Sequence, residues 1–127
     1  MNFRCEIPED ENILHIDTEQ GYYHYYKTVK RIIDNGGGVV KENFHSKHTR
    51  DASPQFRLDY LDWLMQKLKP TVCMIDGITD LIRNPNDENE SSDLISYMMK
   101  ISVQYDCLMI FVIHTTKGNN KLREHGS

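Results

Sequence analysis

Three apolar runs of strand length punctuate the chain: Ile13 to Ile16, Val72 to Ile75 and Cys107 to Ile113. None alternates cleanly with polar residues, which is the pattern of strands covered on both faces in a mainly parallel sheet. Between them the apolar spacing becomes helical. Tyr22, Tyr25, Tyr26, Val29, Ile32 and Ile33 fall on one helix face, and the run Asn35-Gly36-Gly37-Gly38 stops that helix because glycine takes the left-handed cap readily. Phe56, Tyr60, Leu64 and Leu68 step by four toward Lys69-Pro70, where proline closes a second helix. A third carries Leu94, Met98, Ile101 and Tyr105, with Ser91, Ser92 or Asp93 available as its N-cap. An edge strand is expected around Asn43 to His45, and the polar, acidic stretch Asn84 to Ser92 reads as an exposed loop. The order strand, helix, strand, helix, strand, helix, strand predicts a three-layer α/β/α fold with a mainly parallel sheet and right-handed crossovers.

Length and composition narrow this further. The chain has 127 residues, room for a single domain with one core, and 39% apolar with 27% charged residues is ordinary for a protein in water. A net charge of -4 carries no general basic footprint for nucleic acid, so any such contact must be local. The longest apolar run is far too short to cross a bilayer, and the N-terminus lacks the basic-then-apolar order of a signal peptide. The expected location is the cytoplasm, with no membrane partner. Cys5, Cys73 and Cys107 are odd in number and widely spread, which indicates neither a disulfide frame nor a zinc site.

The chemistry gathers at the strand ends. In parallel sheets the functional crevice lies at the C-terminal ends of the strands, where loops converge and helix N-termini point their positive ends. The first strand delivers Asp17-Thr18-Glu19-Gln20, the second ends in Asp76, and the third ends in His114. Two or three carboxylates and an imidazole along one edge suit magnesium-dependent phosphoryl chemistry: one carboxylate holds a metal-bound water and another orients the attacking water. Each residue also has a plainer reading. Asp76 ahead of Gly77 fits a turn or N-cap, Glu19 fits a cap for the following helix, and a strand-end histidine is usually structural. His45, His48 and Glu42 are assigned no role.

The segments ILHIDTEQGYYHYYKTVKRI, KPTVCMIDGITDLI and MIFVIHTTKGNNKLREHGS resemble successive core motifs of RecA-like ATPases. They are most similar to the RepA-like group of mobilisable transposons, the TnpC-type proteins. The resemblance implies a partial RecA-like P-loop NTPase fold spanning residues 1–127, with 1–11 as an N-terminal remnant and 115–127 as a mobile tail. It implies that Glu19 is the catalytic glutamate, that Asp76 is the Walker B aspartate holding magnesium through water, and that His114 senses the γ-phosphate. Asp80 stands in the matching motif without a chemical role. Lys117 and Arg123 are candidates for phosphate contact with single-stranded DNA or with nucleotide held by a neighbouring protomer. The implied cofactors are magnesium and ATP, and the implied setting is a helicase-like ATPase acting in DNA mobilisation, replication or unwinding.

No G-x-x-x-x-G-K-[ST] occurs in the sequence, and Gly36 to Gly38 follow a helix rather than open one, so they cannot cradle phosphate. The expectation is a fragment that starts downstream of its own nucleotide cradle, without the P-loop strand and helix. Charge-assisted hydrogen bonds of that cradle contribute about 1.5–3 kcal/mol each. Losing several takes a micromolar site to millimolar, because roughly 1.4 kcal/mol is tenfold in affinity. Tight ATP binding is therefore not expected. Open strand edges and an uncovered apolar face are, and they predict a dimer or higher oligomer. Two other readings stand beside this one: a non-catalytic assembly module, and a magnesium-dependent phosphohydrolase that uses Asp17, Glu19 and Asp76 directly.

Overall fold

The computed structural model describes residues 7–113. Four parallel strands, β1 (Ile13–Asp17), β2 (Phe44–His48), β3 (Val72–Asp76) and β4 (Leu108–Val112), form one sheet in the order β2-β1-β3-β4. Three helices alternate with them: α1 (Tyr22–Asn35), α2 (Pro54–Leu68) and α3 (Glu88–Gln104). The expected α/β class with a parallel sheet is thus observed, and the edge strand foreseen near Asn43 to His45 is β2.

Side-chain alternation along β1 separates the two faces of the sheet. Leu14 and Ile16, with Cys73 and Ile75 beside them on β3, join Leu61, Leu64 and Met65 of α2 and Leu94, Met98 and Ile101 of α3 in the buried core. His15 points to the opposite face, where it stacks against Tyr25 of α1. One helix therefore lies on one face and two on the other. The chain passes from β1 outward to β2 through α1, then returns past β1 to β3 through α2 and goes on to β4 through α3. This reversal makes the gap between the C-terminal ends of β1 and β3 a topological switch point.

Local chemistry accounts for the helix limits. Ser53 caps α2, accepting from the Phe56 N–H at 3.1 Å, and Pro54 fits the first turn where no donor is needed. At the other end Lys69 adopts a left-handed conformation before Pro70. The glycines stop α1 as expected, with Gly37 at φ 106° and Gly38 donating back to the Ile33 carbonyl at 2.9 Å.

Three sequence expectations require correction. α3 begins at Glu88, inside the stretch read as loop, because Asp87 accepts from the N–H groups of Asn89 and Glu90 and so caps the helix earlier than Ser91, Ser92 or Asp93 would. The buried stripe of α2 is Leu61, Leu64 and Met65, whereas Phe56 is exposed, because that helix rests its later turns on the sheet. On α1, Tyr22, Tyr26 and Ile32 are exposed and no residue is fully buried. Only one narrow stripe of that helix, including Tyr25, meets β1 and β2.

The far side of the sheet is different again. Among the described residues β4 is an edge strand, and Leu108 and Ile110, which project to the face that α1 covers only near β1 and β2, are 60% and 37% exposed. On α3, Ile95, Met99 and Val103 recur every four residues and are exposed as well. Among the described residues, no helix is long and apolar enough to cross a membrane.

Candidate functional site

Asp17 and Asp76 are register partners at the C-terminal ends of the two central strands, and their side chains leave the same face of the sheet. Asp17 is fully buried. Its Oδ1 accepts from the backbone N–H of Glu19 at 3.0 Å and of Gln20 at 2.9 Å, a turn that fixes the carboxylate as the chain leaves β1 for α1. Its Oδ2 is buried with no hydrogen-bond partner. Two residues back on the same face, His15 is also buried, and one ring nitrogen lies 2.8 Å from the Ser46 hydroxyl, which in turn lies 2.7 Å from the Tyr25 hydroxyl. Burial holds the His15 imidazole below its ordinary value of 6.5, against the upward pull of the Asp17 and Asp76 carboxylates.

The loops around this pair are tightly stitched. Thr18 Oγ1 lies 2.8 Å from the Gly77 carbonyl, 2.9 Å from Asp80 Oδ2 and 3.1 Å from the Asp76 carbonyl, so Asp80 has a structural role in holding the β1 loop to the β3 turn. Gly77 is at φ 97°, and a Cβ there would collide with Thr18 Oγ1. The glycine lets the chain turn into the short 3-10 segment Ile78–Leu81 while staying in contact with Thr18. Neither Asp76 nor Glu19 is the N-cap residue of the segment that follows it, while the turn expected after Asp76 is present at Gly77. Gly21 occupies the N-cap of α1 and Gly77 that of the 3-10 segment, both without side-chain capping bonds.

Arg57, which the sequence reading did not single out, ties the same loops from α2. Its guanidinium donates to the carbonyls of Asp80 at 2.7 Å, Arg50 at 2.7 Å, Thr49 at 2.9 Å and Thr18 at 3.4 Å. Nothing in the pattern of α2 marks it, since its partners are main-chain atoms from three separate loops. His48 donates to the Gln20 carbonyl and His45 pairs with Asn12 Oδ1, so both act within the fold.

The residues assigned from sequence are therefore distributed as follows. Asp76 stands at the switch point beside Asp17. Glu19 follows on the β1 loop and is not in the tight cluster. That cluster is His15, Asp17 and Asp76, whose ligand atoms all lie within 4.8 Å of one another. His114, Lys117 and Arg123 lie outside the described residues. A separate cleft of about 830 Å³ between α2 and α3 is lined by Leu58, Asp59, Asp62, Leu94 and Tyr97, and neither strand-end aspartate borders it. No protein-family model matches the chain, and a search of curated proteins finds no similar sequence.

Proposed function

We propose that the chain is the part of a RecA-like ATPase core that carries the acidic half of the nucleotide site, of the RepA-like, TnpC type found in mobilisable transposons, and that its parent couples ATP hydrolysis to DNA mobilisation, replication or unwinding. The observation that carries this reading is the apposition of Asp17 and Asp76 at the switch point of a parallel sheet, the place where α/β folds bind their ligands. The apolar edge at β4 gives independent support. Among the described residues, Leu108 and Ile110 on one side of the strand, and Ile95, Met99 and Val103 on the helix behind it, stand exposed, as an edge would that pairs with a further strand and helix of the kind that bears a phosphate loop.

The residues suit a cation better than they suit phosphate. Two carboxylates, one of them with a buried oxygen that has no hydrogen-bond partner, favour positive charge. A glycine-rich phosphate loop, by contrast, is absent from all 127 residues. Magnesium bound with ATP supplies charge neutralisation of the phosphates. In this reading Asp76 would hold that ion through water, Glu19 would orient the attacking water, and His114 would respond to the terminal phosphate. Thr18, Asp80 and Arg57 keep the two loops in register. Self-association through the β4 edge, and single-stranded DNA contact through Lys117 and Arg123, belong to the same proposal.

Nucleotide assays test it. The 127-residue chain is expected to bind magnesium-ATP no tighter than roughly millimolar and not to hydrolyse it. Expressed together with the in-frame coding sequence upstream of Met1, it is expected to hydrolyse ATP, and Glu19→Gln is expected to abolish that activity. A low-micromolar dissociation constant for the 127 residues alone, or an upstream frame without G-x-x-x-x-G-K-[ST], overturns the reading.

A further inference from the structure

We propose that His15, Asp17 and Asp76 form a binding site for a divalent first-row transition ion of the manganese-to-zinc group, one that needs no nucleotide. The three side chains come from neighbouring positions on β1 and β3 and their ligand atoms close to within 4.8 Å of one another, a spacing that one ion can span. His15 and Asp17 are both buried, unlike the scattered acidic groups of a solvated surface.

The second, independent observation is the Asp17 carboxylate. Oδ1 is fully engaged by two backbone N–H groups, while Oδ2 is sealed from solvent with no partner. Buried polar atoms are nearly always satisfied, and an exception in a packed strand end points to a missing water or ion. An oxygen beside a second carboxylate and an imidazole has more to gain from a cation than from a neutral donor. One ring nitrogen, Nδ1, is held by the Ser46 hydroxyl and that hydroxyl by Tyr25, the kind of outer hydrogen bond that fixes the ring of a metal-bound histidine. An imidazole between two carboxylates also sets the preference: it favours manganese or zinc over magnesium, which takes oxygen ligands and keeps its waters. The ligand set differs from the ATPase reading, in which Asp76 acts through a water and His15 has no part.

Calorimetry on the metal-free full chain, titrated separately with Mn2+, Zn2+ and Mg2+ and without nucleotide, tests this. The expected result is one Mn2+ or Zn2+ per chain, bound at least about tenfold more tightly than Mg2+. His15→Gln and Asp17→Asn, checked for native circular dichroism, are each expected to weaken binding by roughly 10–100-fold. Pulsed electron paramagnetic resonance of the Mn2+-loaded native chain is expected to show coupling to a directly bound imidazole nitrogen, which decides the matter even if both variants fail to fold. Absence of saturable binding, affinity that survives both substitutions, a preference for Mg2+, or Mn2+ without nitrogen coupling overturns the proposal. None of these results depends on ATP, so the ATPase reading can fail while this site stands, and the reverse.

Discussion

The guanidinium of Arg57 sits 2.7 Å from the main-chain carbonyl of Asp80, bonding the first turns of α2 to the turn that follows β3. The same group reaches carbonyls of Thr49, Arg50 and Thr18, so one side chain holds the loops after β1, β2 and β3 in a fixed relation. Hydrogen bonds from a charged donor contribute about 1.5–3 kcal/mol each where they are shielded, and less where water competes. Arg57→Ala is expected to lower unfolding stability by about 2 kcal/mol in urea denaturation. Arg57→Lys should recover only a minor part, because an ammonium cannot fork toward several carbonyls. Equal stability of Lys and Arg at this position would contradict the multiple-carbonyl role.

Two glycines with left-handed backbone separate strain from crowding. Gly37 has φ 106° with nothing within 4 Å of an added Cβ, so Gly37→Ala is expected to cost about 1 kcal/mol from conformation alone. Gly77 has φ 97°, and an added Cβ would meet Thr18 Oγ1 and stand 3.0 Å from Asp80 Oδ2. Gly77→Ala is therefore expected to cost on the order of 3 kcal/mol, and to disturb the Thr18 bonds as well. Matching denaturation midpoints for the two variants would show that the close approach at Gly77 carries no energy.

The cap that starts α3 early is open to a direct test. Asp87 accepts from Asn89 at 2.9 Å and Glu90 at 3.2 Å, and Asp87→Ala is expected to destabilise the chain by about 1 kcal/mol. Ser91→Ala, at one of the three positions the sequence pattern offers as a cap, should cost much less, since Ser91 lies one turn inside the helix.

Burial pushes the Cys73 thiol up to about 12 and the Cys107 thiol up to about 11, from an ordinary value of 9.0. Both should resist alkylation at pH 8 in the folded chain and react once it unfolds, as peptide mapping by mass spectrometry would show. The sign of the pH effect follows from proton binding. Above pH 9 the unfolded chain releases these protons while the folded chain keeps them. Stability is therefore full below about pH 9 and falls as pH rises toward 11 and 12. Constant stability across that interval would contradict the burial of the two thiols.

Self-association is expected through β4. Among the described residues β4 pairs on one side only, and an apolar strand edge of that kind offers a template for another chain, which a lysine commonly blocks. Leu108→Lys and Ile110→Lys are each expected to shift sedimentation toward monomer. A native chain that sediments as a clean monomer at high concentration would remove the basis for an interface at this edge.

Much of the architecture was legible along the chain because apolar runs and helix stops are local. β1, β3 and β4 follow the three apolar runs to within a residue or two, and Gly36 ends α1 where the glycine run predicts. Asp17, Glu19 and Asp76 were recognisable as strand-end acids for the same reason. Helix faces were less legible. The step of four from Phe56 pointed to a stripe that the folded chain leaves partly in water, because the side of α2 that meets the sheet depends on the path of the preceding loop.

By itself, the order of apolar runs, turn residues and strand-end acids determined a parallel α/β sheet with carboxylates at one edge, since each of those signals acts within a few residues. Only the tertiary structure decided that β1 and β3 are neighbours, that His15 rather than Glu19 joins the two aspartates, and that Arg57 clamps their loops. Those contacts join residues up to about sixty positions apart. Their energies depend on burial and direction, which no local pattern encodes.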